Sequence, residues 1–250
     1  MFKKLFSFIR KSVKTSGFKV TPEDLYLLGY KYYNGESFKE NHSKAFKMWK
    51  QAAERGHAAA QGCLANLYSN GDGISQNHKK AFKWYKKSAE QGFAKSQYNL
   101  GQFYLARKEY TEAFKWYKKS AEQGVVEAQN NLASMYYNGD GVEQNYTEAF
   151  KWYKKVAEQG DANIQFELGQ TYYNGGIVKQ DYAEAEKWFQ KAAEQGHIKS
   201  QLCLGIIYAG IKQDYAKAIK WFQKASEQGD NEAQEFLQVL KDQIKKGDKK

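Results

Sequence analysis

The chain has 250 residues, 42% hydrophobic and 16% aromatic, too rich in core-forming side chains for a disordered polymer. Its net charge of +11 sits at the ends: residues 1–22 hold six Lys or Arg and no acid, and residues 241–250 hold five Lys against two Asp. The interior is close to neutral, which argues against nucleic acid as the partner.

The first element is a basic amphipathic segment, residues 1–21. Phe2, Leu5, Phe6, Ile9 and Val13 recur at helical spacing, with Lys3, Lys4, Arg10, Lys11 and Lys14 on other faces. The apolar run is too short for a membrane span or a signal-peptide core. Two readings stay open. Residues 1–14 either make a weak contact with an anionic membrane surface or cap the element that follows.

From residue 22 the chain repeats itself. Met48, Trp84, Trp116, Trp152, Trp188 and Trp221 head equivalent stretches, at spacings of 36, 32, 36, 36 and 33 residues. In the first unit the tryptophan slips one place, to Trp49. The units are read as 22–57, 58–93, 94–125, 126–161, 162–197 and 198–230. Each contains two helical patterns. In the first, helix A, the stripe Gln129, Leu132, Ala133, Tyr136 has spacing 3, 4, 7; in the second, helix B, Ala149, Trp152, Tyr153, Val156, Ala157 repeats that rhythm. Gly or Ala follows the helix A leucine, as at Ala65, Gly101, Ala133, Gly169 and Gly205, where a neighbouring helix can approach closely. Helix B closes on Gln-Gly, with Gly92, Gly124, Gly160, Gly196 and Gly229 at the position that favours a left-handed turn. Units three and six are short in the A–B connection, which a surface loop tolerates. A half-unit, residues 231–246, follows as a capping helix, and residues 247–250 form a basic tail.

One helix pair cannot bury its own apolar stripe, whereas stacked pairs bury a continuous core. The repeated Trp and Tyr residues are therefore read as packing. Function is expected on helix A outside the packing stripe. The candidate partner-binding residues are Tyr26, Tyr30, Asn66, Tyr98, Gln102, Asn130, Ser134, Tyr137, Phe166, Gln170, Tyr173, Leu202 and Ile206. They carry no charge, and they mix aromatics with amides and hydroxyls suited to protein recognition. Tyr33, Tyr137 and Tyr173 have the alternative of packing on the A–B loop. Lysines such as Lys83, Lys86, Lys87, Lys118 and Lys119 gather on helix B as a solvated face.

The pattern A-x-x-Q-x-x-L-G-x-x-Y with W-Y-x-K-A-A-E-Q-G, matched almost position for position over 129–160, resembles the Sel-one-like repeat family, relatives of the tetratricopeptide repeat. That resemblance implies an all-α fold: an α-solenoid, a right-handed superhelix of antiparallel helix pairs whose A helices line a concave groove. It implies a monomeric, non-catalytic interaction scaffold or adaptor holding a protein or peptide segment. The alternatives are a cognate inhibitor (immunity protein) of a bacterial toxin and, from another class, a hydrolase. A cytoplasmic location is expected, or a peripheral one at the inner membrane surface, in a bacterial host.

Chemistry leaves no signature. No cofactor, metal or catalytic residue is called. His42, His57, His78 and His197 are scattered, and no metal-protease, nucleophile-elbow or phosphate-loop motif occurs. Some cysteine-paired relatives are labelled β-lactamases, but this chain has no S-x-x-K nucleophile. Cys63 and Cys203 stand at equivalent places four units apart, roughly 30 Å or more at normal helix spacing, beyond any disulfide. They are read as reduced thiols.

Overall fold

The computed structural model describes residues 20–36 and 39–247, without the side chains of 244–247. The basic segment called over residues 1–21 lies almost wholly outside this range, as does the end of the basic tail. The described residues form thirteen helices and no strand. The A helices are α1 (Pro22–Asn34), α3 (Ala58–Asn70), α5 (Ala94–Ala106), α7 (Val126–Asn138), α9 (Ala162–Asn174) and α11 (Ile198–Ile206). Their B partners are α2 (His42–Glu54), α4 (His78–Glu90), α6 (Tyr110–Glu122), α8 (Tyr146–Glu158), α10 (Tyr182–Glu194) and α12 (Tyr215–Glu227). The last helix is α13 (Asn231–Gly247).

The repeated residues set these boundaries. Helix B starts where an Asn or Asp side chain accepts a backbone N–H three residues on: Asn41 from Lys44, Asn77 from Lys80, Asn145 from Glu148, Asp181 from Glu184 and Asp214 from Lys217. In unit three Glu109 holds that place and makes no such bond. Helix B ends as Gly92, Gly124, Gly160, Gly196 and Gly229 take φ of 91°, 89°, 107°, 89° and 91°. The two shortened connections lack a glycine for this geometry. Lys108 and Gln213 adopt φ of 61° and 56° there. In unit six the end of helix A relaxes into a π turn, Ile207–Ile211.

The chain divides into two compact units, Met1–Ala128 and Gln129–Lys250. In the first, Leu25, Trp49, Leu64 and Leu67 form one buried cluster, and Leu100, Trp116 and Tyr117 are buried further along. In the second, Phe166, Phe189, Leu204, Ile207 and Phe222 form a larger cluster.

The small residue after the helix A leucine is a seat for a helix B ring. A Cβ on Gly29, Gly101, Gly169 or Gly205 would stand 2.4, 2.6, 2.5 or 2.4 Å from Trp49, Tyr117, Phe189 or Phe222. Trp49, displaced by one place in the sequence, thus fills the ring position that tyrosine and phenylalanine fill elsewhere. Its Nε1 donates to the Tyr26 carbonyl at 3.0 Å. In α13 the seat position is Gln238, whose amide donates to Asp242 at 3.0 Å. The preceding tryptophans vary in depth. Trp188 is buried, but Trp84, Trp152 and Trp221 are only partly covered. The last lysine of each helix B completes their cover: Lys87, Lys119, Lys155, Lys191 and Lys224 lie 4.8, 4.7, 4.0, 4.3 and 4.6 Å from the rings of Trp84, Trp116, Trp152, Trp188 and Trp221.

Candidate binding groove

Several residues two and five places after a helix A leucine, among them Tyr30, Tyr33, Asn66, Tyr137, Gln170 and Tyr173, line clefts within one or other unit. In the first unit, α1, α3 and α5 enclose a cleft of about 260 Å³ lined by Tyr26, Tyr30, Tyr33, Asn66, Lys95 and Asn99 among others. Tyr30 is 45% exposed. Tyr26 stacks on His57 at 4.8 Å, and Tyr33 on His42 at 4.6 Å. Further along, Gln102 donates to the Tyr98 hydroxyl at 2.6 Å, and Tyr98 leans on buried Tyr117.

In the second unit Asn130 and Tyr137 border a cleft of about 410 Å³ with Tyr146, Tyr153, Glu167 and Ile177. Tyr137 is 49% exposed. Ser134 hydrogen-bonds Tyr153, whose phenol is pushed up in pKa by burial. Gln170, Tyr173 and Ile206 line a smaller cleft with Cys203 and Phe189. Tyr137 and Tyr173 meet the first residues of their own B helices, Tyr146 and Tyr182, at 5.1 and 5.3 Å edge to face. They therefore pack on the A–B connection while keeping one side open.

Two candidates sit elsewhere. Phe166 and Leu202 are buried, 7% and 8% exposed, in the core cluster of the second unit. Both stand two places before the leucine. Tyr26 and Tyr98 hold the same place and are only partly buried, because a phenol keeps a hydroxyl to be satisfied, whereas the all-carbon side chains of Phe166 and Leu202 go into the core, Phe166 still bordering an open cleft with His197 and Ile198.

Two sets of polar residues have roles that the repeat pattern does not announce. The first is a chain of glutamines. Gln61, Gln97, Gln165 and Gln201, all buried, donate to the carbonyls of Ala53, Ala89, Ala157 and Ala193 in the preceding helix B, at 3.1, 3.2, 2.9 and 3.2 Å. Each accepts in turn from the Gln of its own E-Q-G: Gln91, Gln123, Gln195 and Gln228, at 2.6, 2.7, 2.8 and 2.8 Å. The second set is the histidines after the turn glycine. His57 and His197 cap α3 and α11 through Nδ1, accepting from the Ala60 and Ser200 N–H groups at 3.0 and 3.2 Å.

The electrostatics of the clefts are quiet. Burial pushes the Cys63 thiol up to about 12 and the Cys203 thiol up to about 11, so both stay neutral and poorly nucleophilic. Among the described residues no three His, Cys, Asp or Glu side chains cluster as metal ligands, and no helix is long and apolar enough to cross a membrane.

A stack of short antiparallel helix pairs, each seating an aromatic ring of helix B on a small residue of helix A, defines a helical-repeat protein of the tetratricopeptide-like class. Residues 22–57, 58–93, 94–125, 126–161, 164–197 and 202–230 each match the Sel1 repeat, and the chain belongs to that family. It is similar to the crystal structure of c5321, a protective antigen present in uropathogenic Escherichia coli strains. The two share 36% identity at a TM-score of 0.79, over 88% of this chain and 48% of c5321. The chain thus spans about half the length of that relative. A Sel1 repeat protein from Oxalobacter formigenes is 33% identical at a TM-score of 0.64, over 82% of this chain and 85% of that one. No curated protein matches in sequence.

Proposed function

We propose that the protein is a non-catalytic interaction scaffold that holds an extended segment of a partner protein along its A helices. One observation carries this reading. The uncharged stripe two and five places after the leucine lines clefts in both units, with Tyr30 and Tyr137 about half exposed. Exposed tyrosines beside amide side chains are the composition of protein-recognition surfaces. Many lysines of helix B are engaged otherwise, over tryptophan rings as Lys155 over Trp152 or in pairs such as Lys151–Glu148. A toxin inhibitor would act through the same groove.

The test is selection of random linear peptides on the whole chain, followed by calorimetry on variants. Tyr30→Ala, Tyr137→Ala and Tyr173→Ala should each weaken the selected peptides by about 1–3 kcal/mol where the peptide covers them. Lys118→Ala with Lys119→Ala should change affinity by less than about 0.5 kcal/mol. Loss of binding in the lysine pair, with none in the tyrosine variants, would move the working surface to helix B.

A further inference from the structure

The cleft in the first unit combines a lysine with amide and hydroxyl groups able to donate, and no Asp or Glu is among its described lining residues. Tyr85 and Asn99 both donate to Asn66 Oδ1, the second at 3.4 Å. The carbonyl side of the amide is thereby occupied, and the Asn66 NH₂ has no acceptor among the described residues. Lys95 lines the same cleft, and its ammonium has no carboxylate partner among the described residues. Ser96, 1% exposed, lines it too, and its hydroxyl has no hydrogen-bond partner among the described residues.

The orphaned serine has a traceable cause. Its counterpart in unit six, Ser200, is held by His197 Nδ1 at 2.9 Å. In unit three Phe93 takes the place of the histidine and gives α5 no side-chain cap. The hydroxyl faces Gly62, where an added Cβ would stand 2.7 Å from Ser96 Oγ. Glycine thus keeps open the space into which the hydroxyl can turn. The uncapped start of a thirteen-residue helix adds its positive dipole end at the same place.

Among the described residues no carboxylate lines the cleft. Acids bonded to or beside the lining are engaged: Asp72 accepts from Tyr33 and Asn70 at 3.3 and 3.2 Å, Glu36 accepts from Asn34 at 3.4 Å, and Glu23 pairs with His57 at 2.7 Å. The Cys63 thiol in the wall stays neutral. Donors, one free cation and a helix N-terminus, with no negative group among them, complement an anion. One ammonium beside amide and hydroxyl donors matches a single carboxylate, and the tyrosine walls suit the methylenes that carry it.

We propose that this cleft receives the side-chain carboxylate of an Asp or Glu in the bound segment, held between Lys95, Asn66 and Ser96. The inference rests on the groove reading above: a segment running along the stripe passes over the cleft, so the acid comes from a side chain and not from a chain end.

The probes are the peptides selected on the whole chain, resynthesised with amidated ends and with each acid changed to its amide. One acidic position should matter: its Glu→Gln or Asp→Asn form should bind about tenfold more weakly, as for loss of a charge-assisted hydrogen bond. In Lys95→Met, an exposed position whose circular dichroism should match the parent, acid and amide forms should bind alike. Gly62→Ala should weaken the acid form and leave the amide form unchanged. If selected peptides need Tyr30 but acid and amide forms bind equally, the carboxylate site is wrong and the groove stands. If an amidated peptide loses binding that a free C-terminus restores, the acid is terminal and the side-chain assignment falls. If no peptide depends on the tyrosines, the groove reading itself fails.

Discussion

Gln195 donates its side-chain amide to Gln165 at 2.8 Å, and Gln165 donates its own to the Ala157 carbonyl at 2.9 Å. One buried amide thus ties three consecutive helices, α8, α9 and α10, across a unit boundary. The bond reaches a carbonyl near the C-terminus of α8, where backbone acceptors run short of intrahelical donors.

Gln165→Leu keeps the volume and deletes both bonds. It should destabilise the protein by about 1–3 kcal/mol, because the buried bond to the Ala157 carbonyl is lost. Urea titration followed by tryptophan fluorescence gives the number. Adding Gln195→Leu should cost little more, since Gln195 is exposed and its bond to Gln165 is already gone. Fully additive losses would show that the two glutamines act independently.

Gly169→Ala tests the ring seat. On an exposed helix face this change stabilises by roughly 0.5–1 kcal/mol. Here the new methyl meets the Phe189 ring at 2.5 Å, and overpacking should cost about 1–3 kcal/mol. A raised melting temperature would mean that the ring moves aside freely.

His197 gives the protein a pH-dependent helix start. Burial, followed by the charge of Lys199, holds its pKa below the ordinary histidine value. A lowered histidine pKa means that the fold favours the neutral ring. That stability is therefore complete above the unfolded value of about 6.5 and declines as pH falls through the folded one. Protonated Nδ1 also cannot accept from the Ser200 N–H. His197→Asn, which caps at any pH, should lose less melting temperature than the parent between about pH 7 and pH 5. Parallel curves would dissociate the cap from the titration.

Lys108 holds a left-handed backbone at φ 61° in the shortened connection of unit three. Lys108→Gly should be neutral or stabilising by up to about 1 kcal/mol, because the relief of strain outweighs the entropy that glycine adds to the unfolded chain. The same change at Lys118, inside α6, should destabilise by about 1 kcal/mol. Comparing their denaturation midpoints isolates the backbone effect.

The repeat made the helices, their order, the Gln-Gly stops and the small seats legible in the sequence. Packing demands the same side chains at each step, so it writes itself into periodicity. What escaped has no such signature. Glutamine in a helix reads as neutral and exposed, and only the meeting of two helices shows that Gln61 and Gln91 share a bond. A histidine after a turn glycine reads as incidental until its Nδ1 is seen on the next helix. Trp152, read as core, is only partly covered, because a lysine stem can shield an indole as well as another helix can. The groove was legible as a stripe, but side-chain chemistry decided membership: two places before the leucine, Tyr26 and Asn130 line clefts, whereas the all-carbon Phe166 and Leu202 are mostly buried.

Gln238 occupies the place where the earlier A helices offer a socket of one or two heavy atoms. A long amide there leaves an incoming ring nowhere to land, so any helix B arriving on α13 would meet a closed door. The seat is filled here although the pattern around it persists, since Leu237 is still in register. Glycine at this position would reopen the seat, and a grafted helix B should dock on α13 more firmly in that variant than beside glutamine.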